Sequence, residues 1–108
     1  MSAKTFVPKE TASYIRTIQQ RIAERIAYPE QARKYGWEGT VKLALHILND
    51  GTLAHASIRE SSGYDLFDEN ALTTVKNLAP YSSFPADLNL QELTVTIPIV
   101  YSFNSQAK

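Results

Sequence analysis

Two stretches of the chain alternate between apolar and polar residues with the two-residue period of a β-strand. Residues 40–48 place one apolar set on a single face: Val41, Leu43, Leu45 and Ile47. Residues 92–103 repeat the pattern: Leu93, Val95, Ile97, Ile99, Tyr101 and Phe103. Both segments are therefore predicted to be strands that bury one face against a core.

A hairpin is predicted after the first of these strands, because Asp50-Gly51 is a strong signal for a tight turn. A two-residue turn places a second strand over residues 52–60. A one-residue slip would turn a strand's apolar face outward, so the register is tightly constrained. The predicted cross-strand pairs are Asn49 with Thr52, Ile47 with Ala54, Leu45 with Ala56, and Leu43 with Ile58.

A long helix is predicted over residues 11–27, before the hairpin. Its isoleucines recur at three- and four-residue steps, as in one stripe of an amphipathic helix: Ile15, Ile18, Ile22 and Ile26. The pair Tyr28-Pro29 ends this helix, because the residue before a proline is pushed out of the helical conformation. A short helix is predicted over Pro29–Tyr35, with Gly36 as its left-handed stop.

A third helix is predicted over residues 66–77, after the turn Ser61-Ser62-Gly63. Asp65 is placed as its N-cap, and Asp68 and Glu69 fall in the first turn, where negative charge is favoured. The apolar stripe of this helix consists of Phe67, Ala71, Leu72 and Val75. A strand-to-helix turn explains the two serines more simply than the nucleophile of a serine hydrolase does.

The order of helix, hairpin, helix and strand predicts an α+β domain built in two layers. Helices are expected to pack on one face of a three-stranded antiparallel sheet. The last strand is expected beside the first, because an isolated hairpin is only marginally stable. The domain is predicted over residues 11–103, with a flexible lead-in at residues 1–10 and a tail at residues 104–108.

Composition and charge exclude several classes of protein. The 108 residues suffice for one domain, and the absence of cysteine excludes disulfides, thiolate catalysis and cysteine-ligated metal sites. Eleven basic residues balance eleven acidic ones, which argues against a uniformly basic nucleic-acid binder. The balance hides an asymmetry, since residues 1–38 carry a net charge of +3 and the remainder carries −3.

Neither a membrane span nor a signal peptide is visible in the sequence. No apolar run approaches the roughly 20 residues that cross a bilayer. The first ten residues have no signal-peptide core. The chain is therefore expected to be either a cytoplasmic protein or a piece of a longer exported one.

Candidate chemistry is sparse. The two histidines, His46 and His55, face each other on the outward side of the predicted hairpin, where they could hold a metal ion, but no third ligand is evident nearby. No glycine-rich phosphate loop is present, and no cofactor is predicted. Tyr28, Tyr35 and Trp37 could stack on bases, although such a cluster at a helix–strand junction is more typical of a core. A small enzyme that uses both histidines is kept as an alternative function.

Pro98 lies within the last strand, where a proline is tolerated if its side of the strand faces no neighbour. Residues of one parity direct their backbone groups to the same edge. The open edge is therefore expected to comprise Thr94, Thr96, Pro98, Val100 and Ser102, whereas Val95, Ile97 and Ile99 bond the neighbouring strand. Two interpretations stay open: the proline blocks edge-to-edge aggregation, or the edge receives an extended peptide. A homodimer through edge strands could also form.

An ordered set of short motifs spans most of the chain. It comprises Tyr28-Pro29, Ala32, Gly36, Gly39, Val41, Asp50-Gly51, Ser61-Ser62-Gly63, Asp68, Ala71-Leu72 and the final strand Val95–Phe103. In this order and spacing, residues 28–103 resemble the C-terminal domain of the TonB family. The TolA C-terminal domains share the fold and part of the pattern, and they are the nearest similar group.

The resemblance implies a non-enzymatic domain in the periplasm of Gram-negative bacteria. Members of the family are anchored in the inner membrane by an N-terminal helix, which a proline-rich linker follows, and they work with ExbB–ExbD-type motor proteins that draw on the proton gradient. Their C-terminal domain binds the TonB box of an outer-membrane receptor, which adds as a strand beside the last strand. Because this sequence shows neither that helix nor that linker, the resemblance implies an excised domain or a shortened relative.

Carried onto this chain, the resemblance implies a docking edge along the last strand, together with the tyrosine–proline pair. The implied partner-binding residues are Thr94, Val95, Thr96, Ile97, Pro98, Ile99, Val100, Tyr101, Ser102, Tyr28 and Pro29. The alternative is a TolA-like envelope-integrity adaptor that binds a periplasmic protein. Nucleic acid is not an expected partner, and membrane contact is expected only through the missing anchor.

Overall fold

The computed structural model describes residues 9–103. Its elements are α1 (Lys9–Arg25), α2 (Glu30–Tyr35), β1 (Gly39–Leu48), β2 (Leu53–Glu60), α3 (Asp65–Leu78), a 3₁₀ turn (Ala86–Leu88) and β3 (Glu92–Tyr101). Helix α1 begins two residues before its predicted start. The rest of the predicted lead-in, residues 1–8, and the predicted tail, residues 104–108, lie outside the described residues.

The three strands form one antiparallel sheet in the order β2-β1-β3, with β1 in the centre. One face of the sheet packs against α1 and α3, and this arrangement confirms the predicted two-layer α+β class. The alternating residues predicted to face inward on β1 are completely buried. On β3 the corresponding residues from Val95 to Tyr101 are buried, whereas Leu93 is only partly buried. The centre of the core consists of Ile18, Val41, Leu43, Leu45, Ile47, Phe67, Val75 and Ile97.

The hairpin turn between β1 and β2 is one residue longer than predicted. Leu48 accepts a hydrogen bond from the Gly51 N–H at 2.8 Å and donates its own N–H to the Thr52 carbonyl at 2.9 Å. These bonds enclose the three-residue loop 49–51, in which Gly51 adopts the left-handed φ of +93°. The predicted pairs of Asn49 with Thr52 and of Ile47 with Ala54 are therefore wrong. The observed pairs are Ile47 with Leu53 and, beyond a register shift, His46 with His55, Leu45 with Ala56 and Leu43 with Ile58.

Contacts from a distant loop hold this longer turn. The backbone N–H of Asn49 donates to the Gln91 carbonyl at 2.9 Å, and the Asn49 carbonyl accepts the N–H of Phe84 at 2.9 Å. The Gly51 carbonyl accepts the N–H of Tyr81 at 2.8 Å. The loop between α3 and β3 thus covers the turn, and these long-range bonds are absent from the local pattern on which the prediction rested.

Helix α1 also forms hydrogen bonds with the end of α3 and with the loop that follows it. The Tyr14 hydroxyl donates to the Ser82 carbonyl at 2.6 Å, and the Arg21 guanidinium donates to the Leu78 carbonyl at 3.1 Å. Arg21 also lies over the ring of Tyr81, with 5.4 Å between its Cζ and the ring centroid. Of the predicted isoleucine stripe, Ile18 and Ile22 are fully buried, whereas Tyr14 was not part of that stripe.

The helix boundaries differ from the prediction by at most two residues. Helix α1 begins and ends two residues early, α2 begins one residue late, and α3 is one residue longer at each end. Gly36 ends α2 with a left-handed φ of +73°, as predicted. The predicted N-cap Asp65 is wrong, because Asp65 already belongs to α3 and the capping position is Tyr64, which makes no side-chain cap bond. Asp68 lies in the first turn as predicted, whereas Glu69 lies beyond it. The Asp68 carboxylate is buried and binds the two serines of the preceding loop.

The final strand ends two residues earlier than predicted. Strand β3 stops at Tyr101, so Phe103 does not continue the inward face. The N–H of Phe103 donates to the Glu38 carboxylate at 3.0 Å, and its ring stacks on Tyr28 with 4.8 Å between the centroids. These two contacts direct the chain away from the sheet at this point.

Candidate functional site

Strand β3 is an edge strand of unusual regularity. It pairs only with β1, and its register runs without a shift from Gly39 opposite Tyr101 to Leu48 opposite Glu92. Within residues 9–103, no strand lies on its other side. The backbone of ten consecutive residues therefore borders an open edge.

The position of Pro98 determines which residues face this edge. Pro98 lies opposite Lys42, and because proline has no N–H, this cannot be a hydrogen-bonded pair of the ladder. Alternation along an antiparallel pair then directs one set of backbone groups away from β1. We call this set, which comprises Thr94, Thr96, Pro98 and Val100, the β3 edge.

The residues that alternate with the β3 edge point their side chains into the core. Their side chains are at most 6% exposed, and their backbone groups face β1: Val95, Ile97, Ile99 and Tyr101. Eight of the nine residues named from the sequence at residues 94–102 therefore divide into an outward set of four and an inward set of four. Ser102 follows β3 directly and is half-buried.

A groove runs along the β3 edge beneath α1. It has a volume of about 450 Å³, and its walls are one face of α1 and the second half of β3. The lining residues are Gln19, Ile22, Ala23, Ile26, Ile97, Pro98, Ile99 and Val100. An extended chain beside β3 would therefore place every second side chain against a largely apolar helix surface.

The opposite edge of the sheet is less suited to strand addition. The pairing of β2 with β1 contains two register shifts, one on each side of the run from Leu43 to His46. Strand β2 also carries exposed charged residues at Arg59 and Glu60, and Glu60 forms an ion pair with Lys42 at 3.4 Å. Bulges and charges of this kind protect an edge against pairing.

Tyr28 lies where the end of β3 meets the core. Its ring packs edge-on against Phe67 and Tyr101, with centroids 5.7 and 5.8 Å apart, and its hydroxyl donates to the Trp37 carbonyl. Burial raises the pKa of the Tyr28 hydroxyl, the charge of Glu38 raises it further, and the charge of Arg33 opposes this rise. Tyr28 therefore packs against Tyr101, the last residue of β3.

Pro29 and Tyr101, two further residues named from the sequence, have structural contacts. Pro29 is half-buried and occupies the capping position of α2. The Tyr101 hydroxyl donates to the Asn70 side chain at 2.5 Å. Burial raises the pKa of Tyr101, and the nearby Asp68 carboxylate raises it further.

The two histidines lie on the open face of the sheet, opposite each other as the predicted register requires. The His46 Nε2 atom lies 2.5 Å from a carboxylate oxygen of Glu92, at the start of β3. In the part of the chain that the structure describes, no group of three or more histidine, cysteine, aspartate or glutamate residues could hold a metal ion.

The Ser61-Ser62-Gly63 segment forms a structural turn. Both hydroxyls donate to the Asp68 carboxylate, at 2.5 Å from Ser61 and 2.8 Å from Ser62, and the Ser62 N–H adds a third bond at 3.0 Å. Burial alone would raise the pKa of Asp68, but these hydrogen bonds outweigh burial and hold it below its ordinary value. Each serine hydroxyl is thus engaged with a carboxylate and not with a histidine.

The aromatic residues near α2 form a stack that continues into the core. Trp37 stacks on Tyr35 at 5.6 Å and on Tyr64 at 4.7 Å, and Tyr64 contacts Phe67. Only Tyr35 is largely exposed, with 61% of its surface accessible. The inner ring faces are therefore occupied by neighbouring rings and not available to bases.

Reasoning from the sequence missed the helix side of the groove. Ile22 and Ile26 were assigned to the core stripe of α1, and Gln19 and Ala23 were not singled out. Their shared face follows from helical spacing. Its position beside β3 depends on how α1 packs, and no local signal gives that.

A match to a protein-family model identifies the family of this chain. The family model of the Gram-negative bacterial TonB protein C-terminal matches residues 24–103, which is most of the chain. The chain belongs to the TonB C-terminal domain family. TonB C-terminal domains are non-enzymatic transducer domains, so membership disfavours an enzyme that uses His46 and His55.

Known TonB proteins resemble the chain over most of its length. A TonB protein of Pasteurella multocida is 29% identical over 92 residues, which make up 85% of this chain and 35% of that protein. The protein tonB2 of Pseudomonas aeruginosa is 34% identical over 79 residues, or 71% of this chain and 28% of that protein. The chain thus spans about a third of the length of the curated relatives it matches.

Solved structures show the same fold. The solution structure of a TonB C-terminal domain from Helicobacter pylori superposes with a TM-score of 0.71 at 25% identity, covering 93% of this chain and 97% of that chain. TolAIII bound to a peptide derived from the N-terminus of TolB gives a TM-score of 0.62 at 23% identity, covering 90% and 81%. The second likeness shows the fold alone. Among residues 9–103, no helix is both long and apolar enough to span a membrane.

Proposed function

We propose that this chain is the receptor-binding domain of a TonB-type energy transducer in the periplasm. In this proposal it captures the TonB box of an outer-membrane receptor as an added strand along the β3 edge. The single observation that carries the proposal is the unbroken ten-residue register of β3 beside an open edge. Backbone hydrogen bonds would supply the affinity, and the pockets for alternate side chains would supply the specificity.

The groove beside α1 supports this choice of edge. A strand beside Thr96 and Val100 would direct alternate side chains toward Ile22, Ala23 and Ile26, so that apolar surface is buried on binding. The β2 edge offers no comparable surface, because it is interrupted by register shifts and carries charged residues. Strand addition is therefore favoured on β3.

The remainder of the proposal follows from family membership. A transducer of this family would be anchored in the inner membrane and driven by an ExbB–ExbD-type motor, through regions outside residues 9–103. The bound strand would then connect the receptor to the sheet while the motor pulls on the chain. The transport of a ligand through the receptor is the process that this force would serve.

A TolA-like adaptor is the second candidate function. It is favoured by the fold likeness to TolAIII, which was solved with a peptide derived from the N-terminus of TolB. Pull-down from envelope extracts, with the domain as bait, distinguishes the two candidates by the class of partner retained. We expect a TonB-dependent receptor, and selective retention of a TolB-like periplasmic protein would favour the adaptor.

A second proline on the β3 edge tests the proposal. Thr96→Pro removes a further outward N–H, so we expect the domain to bind a TonB-box peptide roughly 2- to 12-fold more weakly, as for one lost hydrogen bond. The free energy of unfolding should fall by less than about 1 kcal/mol, because that N–H makes no bond to β1. Calorimetric titration and urea unfolding measure the two effects.

The matched control is the same change on the opposite edge. Ile58 lies opposite Leu43, whose backbone bonds β3, so its own N–H faces the free side of β2. Ile58→Pro is expected to leave peptide affinity unchanged, although it also replaces an exposed isoleucine. Equal losses of affinity in the two variants would contradict docking on β3.

A further inference from the structure

Apart from Pro98, the β3 edge lacks the features that usually keep an exposed strand from pairing with itself. Protected edges are short, bulged or charged. Strand β3 has ten residues and no register shift, and the sequence has no charged residue between Glu92 and Phe103. Its outward side chains, Thr94, Thr96 and Val100, all favour strands. Pro98 is the one interruption.

We propose that Pro98 selects a foreign strand over a second copy of this chain, through symmetry. A foreign strand beside β3 loses one hydrogen bond, because only Pro98 lacks a donor. A second copy that pairs edge to edge does so about a two-fold axis, and it brings its own Pro98. The symmetric pair therefore loses two hydrogen bonds, whereas the complex with a foreign strand loses only one.

Two hydrogen bonds are lost in every symmetric register that includes the middle of β3. Whether Pro98 faces its own copy or another residue, each of the two prolines leaves one carbonyl of the opposite strand without a donor. In a register that avoids both prolines, the two copies pair only through Glu92, Thr94 and Thr96 at one end of β3, or only through the residues after Pro98 at the other end. Such pairings retain at most about half of the edge.

The foreign-strand half of this inference rests on the proposed function, whereas the self-association half does not. Pro98→Ala restores the donor without adding a large side chain. We expect its affinity for a TonB-box peptide to rise roughly 2- to 12-fold, as for one hydrogen bond. Its self-association constant should rise by the square of that factor, roughly 4- to 140-fold. Calorimetry and sedimentation equilibrium measure the two constants.

Pro85→Ala is the matched control, because it removes an exposed proline from a loop outside β3. It should change neither constant.

A Pro98→Ala chain that self-associates no more strongly than the native chain overturns the inference, whatever the peptide does. The inference is also overturned if peptide affinity rises as much as self-association. A peptide that binds neither form, combined with tighter self-association, overturns the proposed function and still supports Pro98 as the barrier to a second copy.

Discussion

Two glycines with nearly the same backbone conformation have different constraints. Gly51 has φ +93° and Gly63 has φ +95°, a region that side chains disfavour. A Cβ atom at Gly51 would lie 2.0 Å from the Tyr81 carbonyl oxygen, whereas a Cβ at Gly63 would meet nothing within 4 Å. Gly51 therefore allows both the turn conformation and the close approach of the loop that covers it.

We predict that Gly51→Ala is much more damaging than Gly63→Ala. The Gly63 variant bears only the left-handed backbone cost, roughly 1–2 kcal/mol. The Gly51 variant must also displace a backbone carbonyl, which adds roughly 1–3 kcal/mol of overpacking strain. Urea unfolding of the two variants measures the difference. Equal losses would mean that the loop does not pack on the turn.

At the scale of elements, the connection from β2 to α3 depends on one buried carboxylate. Asp68 in α3 accepts hydrogen bonds from the hydroxyls of Ser61 and Ser62 and from the Ser62 N–H. Gly39 at the start of β1 packs against the same loop, because a Cβ there would lie 3.2 Å from the Ser62 Cβ. The loop therefore links β1, β2 and α3.

We predict that Asp68→Asn lowers the free energy of unfolding by roughly 1–3 kcal/mol at pH 7, because the amide cannot accept all three bonds. The folded-state pKa of Asp68 lies below the ordinary value of 3.8. The stabilisation by its carboxylate is thus complete well above pH 3.8, and it disappears as the pH falls through the folded-state pKa. Unfolding at pH 7 and near pH 3 should show a gap between native and variant chains that narrows with acid. A gap of constant size would contradict this.

The elements were more predictable than the connections between them. Alternation in residues 40–48 and 92–101 is a local property, and it correctly predicted which face of each strand is buried. The central position of β1 was correctly predicted from the marginal stability of an isolated hairpin. The length of the turn was not predictable, because Asn49 is held by Gln91 and Phe84 from a distant loop. Asp68 was correctly placed in the first turn of α3, but its bonds to Ser61 and Ser62 were not predicted, since these serines become its neighbours only after the chain folds back. The groove required the packing of α1, which periodicity does not contain.

At the scale of the whole molecule, a captured strand would become the fourth strand of the sheet. It would lie beside β3, and β3 is joined to the central strand β1 along ten paired residues. A pull along the strand direction loads the backbone hydrogen bonds of such a ladder together, in shear. This arrangement suits a domain that must hold a receptor segment under force while its core, which α1 and α3 cover, stays intact.

The central claim is that backbone groups of the β3 edge bond the receptor segment, and amide hydrogen exchange measures this directly. In the free domain, the outward amides of Thr94, Thr96 and Val100 should exchange rapidly. With saturating TonB-box peptide they should become protected, whereas the amides of Ala56 and Ile58 on the β2 edge should be unchanged. Protection on the β2 edge, or unchanged exchange at Thr94, Thr96 and Val100 with the peptide bound, would contradict the account.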